Sequence, residues 1–188
     1  MATLEIQIVG KGGQGVVFLG LVLARSAVIY EAKNATNIQS YGSRMRGGAT
    51  VSEVVISDDE IICPILSKPD ILVALADESL EEFTAGLKED GLLLVEETVD
   101  LPSKNNFKIF RIPAIQIAES DFKSKTSANV IILGALIGIT DIVSEQSILN
   151  ALLDIMEELD LREKVKERNI QALIRGIKIG RDLTKNFA

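Results

Sequence analysis

At 188 residues, with 47% hydrophobic side chains and a mean hydropathy of +0.25, the chain has the apolar mass for one folded domain spanning residues 1–188. Its net charge of −7 and isoelectric point near 4.8 exclude nonspecific nucleic-acid binding, which needs a basic surface. There is no histidine and one cysteine, Cys63, so Ser-His-Asp and Cys-His catalysis, a disulfide, and a Cys-rich zinc or iron–sulfur site held by this chain alone are all excluded.

Leu4 to Val9 alternates and reads as a strand. It runs straight into Gly10-Lys-Gly-Gly-Gln-Gly15 and then into an apolar segment that predicts a helix over 14–30. A strand, a glycine turn and a helix N-terminus in that order offer unpaired N–H groups and a positive dipole end to an anion. Gly10, Gly12 and Gly15 fit the G-x-G-x-x-G spacing, while Gly13 and Gln14 add a second flexible unit and an amide. A dinucleotide site also wants an acidic residue about 20 positions on, at the end of the next strand. Glu31 is followed instead by a polar stretch, so the fingerprint is incomplete. A turn used for close strand–helix packing and a phosphate cradle both stay open. Gln14 divides the same way, between bonding the turn and meeting a ligand or partner.

Thr36 to Ser40 suggests a short strand, and Ala49 to Ser57 a longer one rich in β-branched residues. Asp58-Asp59 then reads as a turn that returns Ile61-Ile-Cys63 as a hairpin, ended by Pro64, with Cys63 as a buried small hydrophobe. Ile71 to Leu75 and Leu92 to Val95 have the continuous apolar character of buried central strands, separated by a helix from Leu80 to Lys88. Lys108 to Ile112 is a further strand. The remainder reads as helices: one capped by Ser127 and reaching Ile139, with Gly134 and Gly138 on one face; one capped by Ser144 over 145–159; and one from Leu161 to Lys185, entered through an Asp160/Glu163 capping box. Asn129, just past Ser127, suits a helix-start hydrogen bond. The alternation of strands and helices predicts an α/β fold. The longest apolar run, residues 130–139, is about half a bilayer span, and residues 1–9 lack a signal-peptide pattern. A cytoplasmic protein with no membrane partner is the expectation.

Between the second and third strands lies Ser40-Tyr-Gly-Ser-Arg-Met-Arg-Gly-Gly48. Arg44 and Arg46 are bracketed by Gly42 and by Gly47-Gly48, with Tyr41 beside them. Glycines permit close approach to another surface, and guanidinium groups bind phosphate or carboxylate through paired donors. Two solvated arginines on a hairpin turn is the plainer reading of the segment by itself.

Together, Gly10-Lys-Gly-Gly-Gln-Gly15, Tyr41-Gly-Ser-Arg-Met-Arg-Gly-Gly48, the strand ending at Ser57, and Pro69-Asp70 before an apolar strand resemble the γ subunit of 2-oxoacid:ferredoxin oxidoreductases. Asn129 with Gly134-Ala135, and Asn169, Ala172 and Gly176, fit the same pattern, so the resemblance covers nearly the whole chain. It implies a three-layer Rossmann-like sheet with a swapped hairpin and a helical C-terminal part. It implies a complex that decarboxylates a 2-oxoacid, 2-oxoglutarate or pyruvate, to an acyl-CoA with reduction of ferredoxin. The complex's thiamine diphosphate, iron–sulfur clusters and coenzyme A lie on or with other subunits, and the partners are α, β and, in some members, δ subunits. No catalytic residue is expected here. Gly10, Gly12, Gly13, Gln14, Gly15, Tyr41, Gly42, Arg44, Arg46, Gly47, Gly48 and Asn129 are the candidates for the shared cofactor or subunit surface. A free-standing Rossmann-like nucleotide-binding module is the alternative.

Overall fold

The computed structural model describes residues 3–40, 48–77, 80–101 and 107–185. Six strands form one mixed sheet: β1 (Leu4–Lys11), β2 (Asn34–Ser40), β3 (Ala49–Ser57), β4 (Ile71–Ala74), β5 (Leu92–Glu96) and β6 (Lys108–Ile112), in the order β2-β3-β1-β4-β5-β6. β1, β4, β5 and β6 run parallel; β3 is antiparallel to β1 on one side and to β2 on the other. The β2–β3 hairpin therefore takes the place beside β1 that a parallel strand would hold in a doubly wound sheet. β4 is buried along its whole length and β5 along all but its first residue, as their unbroken apolar runs require. Asp70 locks β4 to β1: its carboxylate accepts from Glu5 N (2.9 Å) and from Lys88 Nζ (2.6 Å).

The helices are α1 (Val16–Arg25), α2 (Leu80–Gly86), α3 (Ala114–Phe122), α4 (Ala128–Thr140), α5 (Glu145–Glu158) and α6 (Glu163–Lys185). The larger core joins one sheet face, through Ile6, Ile8, Val54 and Val73, to α1, α4, α5 and α6. The smaller core, with Val9, Val51, Leu72 and Leu93, lies on the opposite face beneath Leu80 of α2. This is the three-layer α/β architecture with a helical C-terminal part. α4 is buried all round from Val130 to Gly138, and α6 lies directly on it. Gly134 and Gly138 face Gly176 and Gly180, and a Cβ on any of the four would run into backbone of the opposing helix. Four glycines thus let two helix backbones touch.

Several local expectations change. Ile61–Cys63 form no strand: β3 already pairs on both edges, so no edge is left for a returning strand, and Pro64 and Pro69 remove donors nearby. Ile62 is 94% exposed, and Cys63 is exposed rather than buried. The first helix starts at Val16 and passes into a single π turn over Ser26–Tyr30. Ala114–Phe122 is helical where the sequence reading has no element. Ser144 caps α5 as expected, accepting from Ser147 N at 3.1 Å. Ser127 makes no capping bond, because a 3-10 turn over Lys125–Ser127 already gives it helical dihedrals. Asp160 does not open α6. It sits at φ 48°, and Leu161 N bonds back to Met156 O, so it closes α5 in the left-handed position typical of a helix end.

Candidate functional site

The carboxyl end of β1 brings the described parts of the two glycine motifs together. Gly10 lies opposite Thr50 and Lys11 opposite Ala49, so Gly48, at φ 73°, stands one residue from the end of the β1 pairing. Tyr41, Gly42, Arg44, Arg46 and Gly47 lie outside the described residues. After Lys11 the chain turns through Gly13 (φ 87°) and Gly15 (φ 79°), both in the left-handed region that favours glycine. Gly15 is the N-cap of α1, whose first turn has no side-chain cap and no acidic residue.

Gln14 stitches this turn to the sheet. Its Oε1 accepts from Lys11 N (2.6 Å), and its Nε2 donates to Leu75 O just beyond β4 (3.1 Å). Gly10 is required beneath it: a Cβ there would stand 2.7 Å from Gln14 Oε1 and 3.1 Å from Leu75 Cβ. Asn129 of α4 lies against Gly15, with its Nδ2 where a Gly15 side chain would go, while its Oδ1 accepts from Val130 N (2.7 Å). Gly10, Gln14, Gly15 and Asn129 are therefore one packed unit. Gly12 and Gly13 are exposed, and nothing lies within 4 Å of a Gly13 Cβ. Their backbone is open to another molecule.

Gly13, Gln14 and Asn129 border a cleft of about 330 Å³, which Glu96 and Lys125 also line. It lies beyond the carboxyl ends of the parallel strands, where ligands bind in open α/β sheets. Glu96 is the site residue that the sequence reading passed over. It ends β5, is 2% exposed, and accepts from Thr98 N (2.7 Å), Thr98 Oγ1 and Ile115 N (3.3 Å). Through Ile115 N its side chain meets the first turn of α3, where backbone N–H groups lack partners within the helix. An acid closing the apolar run Leu92-Leu-Leu-Val95 was the available signal. Lys125 stays exposed and pairs with Glu119 at 3.0 Å.

The acid that a dinucleotide site would want is engaged elsewhere. Glu31 accepts from Ser144 N (2.7 Å) at the start of α5. Hydrogen bonds from the Ser147 hydroxyl and from Ser144 hold its carboxyl below the usual range. With one turn amide taken by Gln14 and no acid presented after β2, the free-standing nucleotide-binding reading is not favoured.

Comparison with known proteins agrees along the chain. Residues 5–179 match the family described as pyruvate ferredoxin/flavodoxin oxidoreductase. The 2-oxoglutarate synthase subunit KorC of Methanocaldococcus jannaschii is 38% identical over 182 residues, covering 95% of each chain. The pyruvate synthase subunit PorC of the same organism is 31% identical, over 90% of this chain and 92% of its own. Among solved structures, the γ subunit of a keto/oxoacid ferredoxin oxidoreductase from Geobacter sulfurreducens superposes with a TM-score of 0.80 at 35% identity, covering 94% of this chain and 98% of that one. With these similarities along nearly its full length, and the glycine turn built as described, the chain belongs to the pyruvate ferredoxin/flavodoxin oxidoreductase family.

Proposed function

We propose that this chain is the γ subunit of a 2-oxoacid:ferredoxin oxidoreductase, an enzyme complex that oxidatively decarboxylates a 2-oxoacid to an acyl-CoA and reduces ferredoxin. The observation that carries this is the similarity to subunit KorC over 95% of both chains. 2-Oxoglutarate is the favoured substrate: three KorC relatives are 38–40% identical to this chain, against 31% for PorC and 32–35% for the ketoisovalerate subunit VorA, while the KorC of Archaeoglobus fulgidus is 30% identical. The whole chain, residues 1–188, acts as one domain: the larger core joins β1 to α6, and the same sheet carries the smaller core on its other face.

Its role is to pack against the catalytic subunits, not to do the chemistry. A cluster needs several thiolates and this chain has one, Cys63, so the donor set does not fit an iron–sulfur centre. Thiamine diphosphate, the clusters and coenzyme A belong on or with the α, β and, where present, δ subunits. The open backbone at Gly12 and Gly13, with the segment from Tyr41 to Gly48, forms this chain's side of that surface. Arg44 and Arg46 supply the cations for a phosphate, a carboxylate or an acidic side chain across it. The chain acts in the cytoplasm beside ferredoxin; no helix among the described residues is long and apolar enough to cross a membrane.

The test is co-expression of the subunits with and without this chain, followed by assay of CoA-dependent viologen reduction with 2-oxoglutarate and with pyruvate. Activity that needs this chain and prefers 2-oxoglutarate supports the reading. Equal activity in its absence overturns it.

A further inference from the structure

The connection from β3 to β4 is thirteen residues long, 58 to 70, and contains no helix or strand. Connections of that length without secondary structure are uncommon in a compact domain and are either functional or disordered. This one is pinned at both legs. Asn34 Nδ2 donates to Asp59 O (3.1 Å), and Asp59 N donates to Ser57 Oγ (3.1 Å). On the return, the Glu5 carboxylate accepts from Lys68 N (3.1 Å) and Ser67 N (3.4 Å), and Asp70 N donates to Glu5 O (2.8 Å). Pro64 and Pro69 restrict the backbone between and beside these anchors.

What the anchors hold out is apolar. Ile62-Cys-Pro-Ile65 is exposed throughout, Ile62 at 94% and Ile65 at 66%. Exposed apolar side chains are ordinary one at a time, but an unbroken run of them on an anchored loop marks a contact surface. Three exposed acids, Asp58, Asp59 and Glu60, lead into this tip. The loop stands at the amino ends of β1 and β4, whereas the glycine turn follows the carboxyl end of β1, an eight-residue strand or about 25 Å away. It is a second surface, separate from the cleft.

We propose that the loop tip plugs into an apolar socket with a basic rim on another subunit of the complex, a contact that rests on the γ-subunit reading. Charge selects this occupant over a second copy of the chain. A two-fold axis at the tip would set each residue close to its own counterpart. Six carboxylates, three from each copy, would then meet on chains that each carry a net charge of −7. A socket rimmed by lysine or arginine instead takes Ile62 and Ile65 out of water and meets Asp58, Asp59 and Glu60 with the opposite charge. The fixed legs lower the entropy lost on insertion.

Cys63, the one cysteine of the chain, is exposed at the tip and supplies the probe. Maleimide labelling of Cys63, read from the mass of this chain, is compared between the isolated full chain and the complex assembled by co-expression. The expected result is ready labelling of the isolated chain at low and high concentration, and loss of labelling in the complex. Ile62→Asp with Ile65→Asp weakens association with the other subunits about 100-fold or more. Asp58→Lys with Glu60→Lys weakens it about tenfold and removes its dependence on salt. All four positions are exposed, so the variants keep the melting temperature of the unaltered chain. Labelling as fast in an active complex as in the free chain overturns the proposal and leaves the γ-subunit reading standing. So do variants that assemble as tightly as the unaltered chain. A tip protected in the isolated chain at high concentration identifies a second copy as the occupant and also overturns it. A chain that joins no complex overturns both readings.

Discussion

Replacing Gly15 by alanine tests whether the glycine turn and Asn129 are one unit. The substitution has two separable costs. Gly15 sits at φ 79°, and an L residue in the left-handed region costs about 1–2 kcal/mol. The new Cβ also takes the position of Asn129 Nδ2, so the amide must leave and its bond to Val130 N, 2.7 Å long, is lost for about 1 kcal/mol. The single variant therefore loses about 2–3 kcal/mol by these two costs. Asn129→Ala alone loses the hydrogen bond, about 1 kcal/mol. With both changes the bond is lost only once and the clash is gone, so the double variant falls short of the summed singles by about 1 kcal/mol. Urea unfolding of the four proteins measures this coupling. Strict additivity would refute the packing of Asn129 on Gly15, and a neutral Gly15→Ala would refute the left-handed turn as well.

Gly176→Ala places a Cβ against backbone of α4 and should destabilise by about 1–3 kcal/mol despite alanine's better helix propensity, lowering the melting temperature by about 2–4 °C per kcal/mol. Gly86→Ala, with nothing within 4 Å, should leave the melt unchanged or raised, and circular dichroism reads both. Glu31→Gln removes a carboxylate whose folded pKa is depressed by hydrogen bonds from Ser147 and Ser144. Its contribution is present above the ordinary value of 4.5 and is lost as pH falls through the lower folded value. The stability gap between wild type and variant should therefore be larger at pH 7 than in acid, and a gap that widens on acidification would contradict the assignment. Replacing Arg44 and Arg46 together by alanine should reduce the assembled enzyme's CoA-dependent activity about tenfold or more, the worth of a charge-assisted contact. Unchanged activity would remove them from the shared surface.

The parallel strands were legible because continuous apolar runs such as Ile71–Leu75 have no other comfortable place than the middle of a covered sheet. Ser144 was legible because a serine cap is a local device. Asp160 and Glu163 have the same spacing as a capping box, but the chain uses Asp160 to end the preceding helix, a choice that depends on the direction α6 must take. The Ile61–Cys63 hairpin failed for a non-local reason: β1 and β2 occupy both edges of β3. At the site, glycines at the turn announced themselves through spacing. What could not be read was that Gln14 would be consumed in bonding Lys11 and Leu75, that Asn129 would arrive from α4 to pack on Gly15, or that Glu96 would line the same cleft. The Gln14–Leu75 and Gly15–Asn129 contacts join residues 61 and 114 positions apart and exist only once the sheet is assembled.

The most direct test of the γ-subunit assignment is to capture tagged chain from its native host and assay the eluate for 2-oxoacid- and CoA-dependent viologen reduction. The account predicts that activity co-elutes with the larger subunits and that 2-oxoglutarate is the preferred acid. Recovery of the chain without those subunits, and without activity, would contradict it.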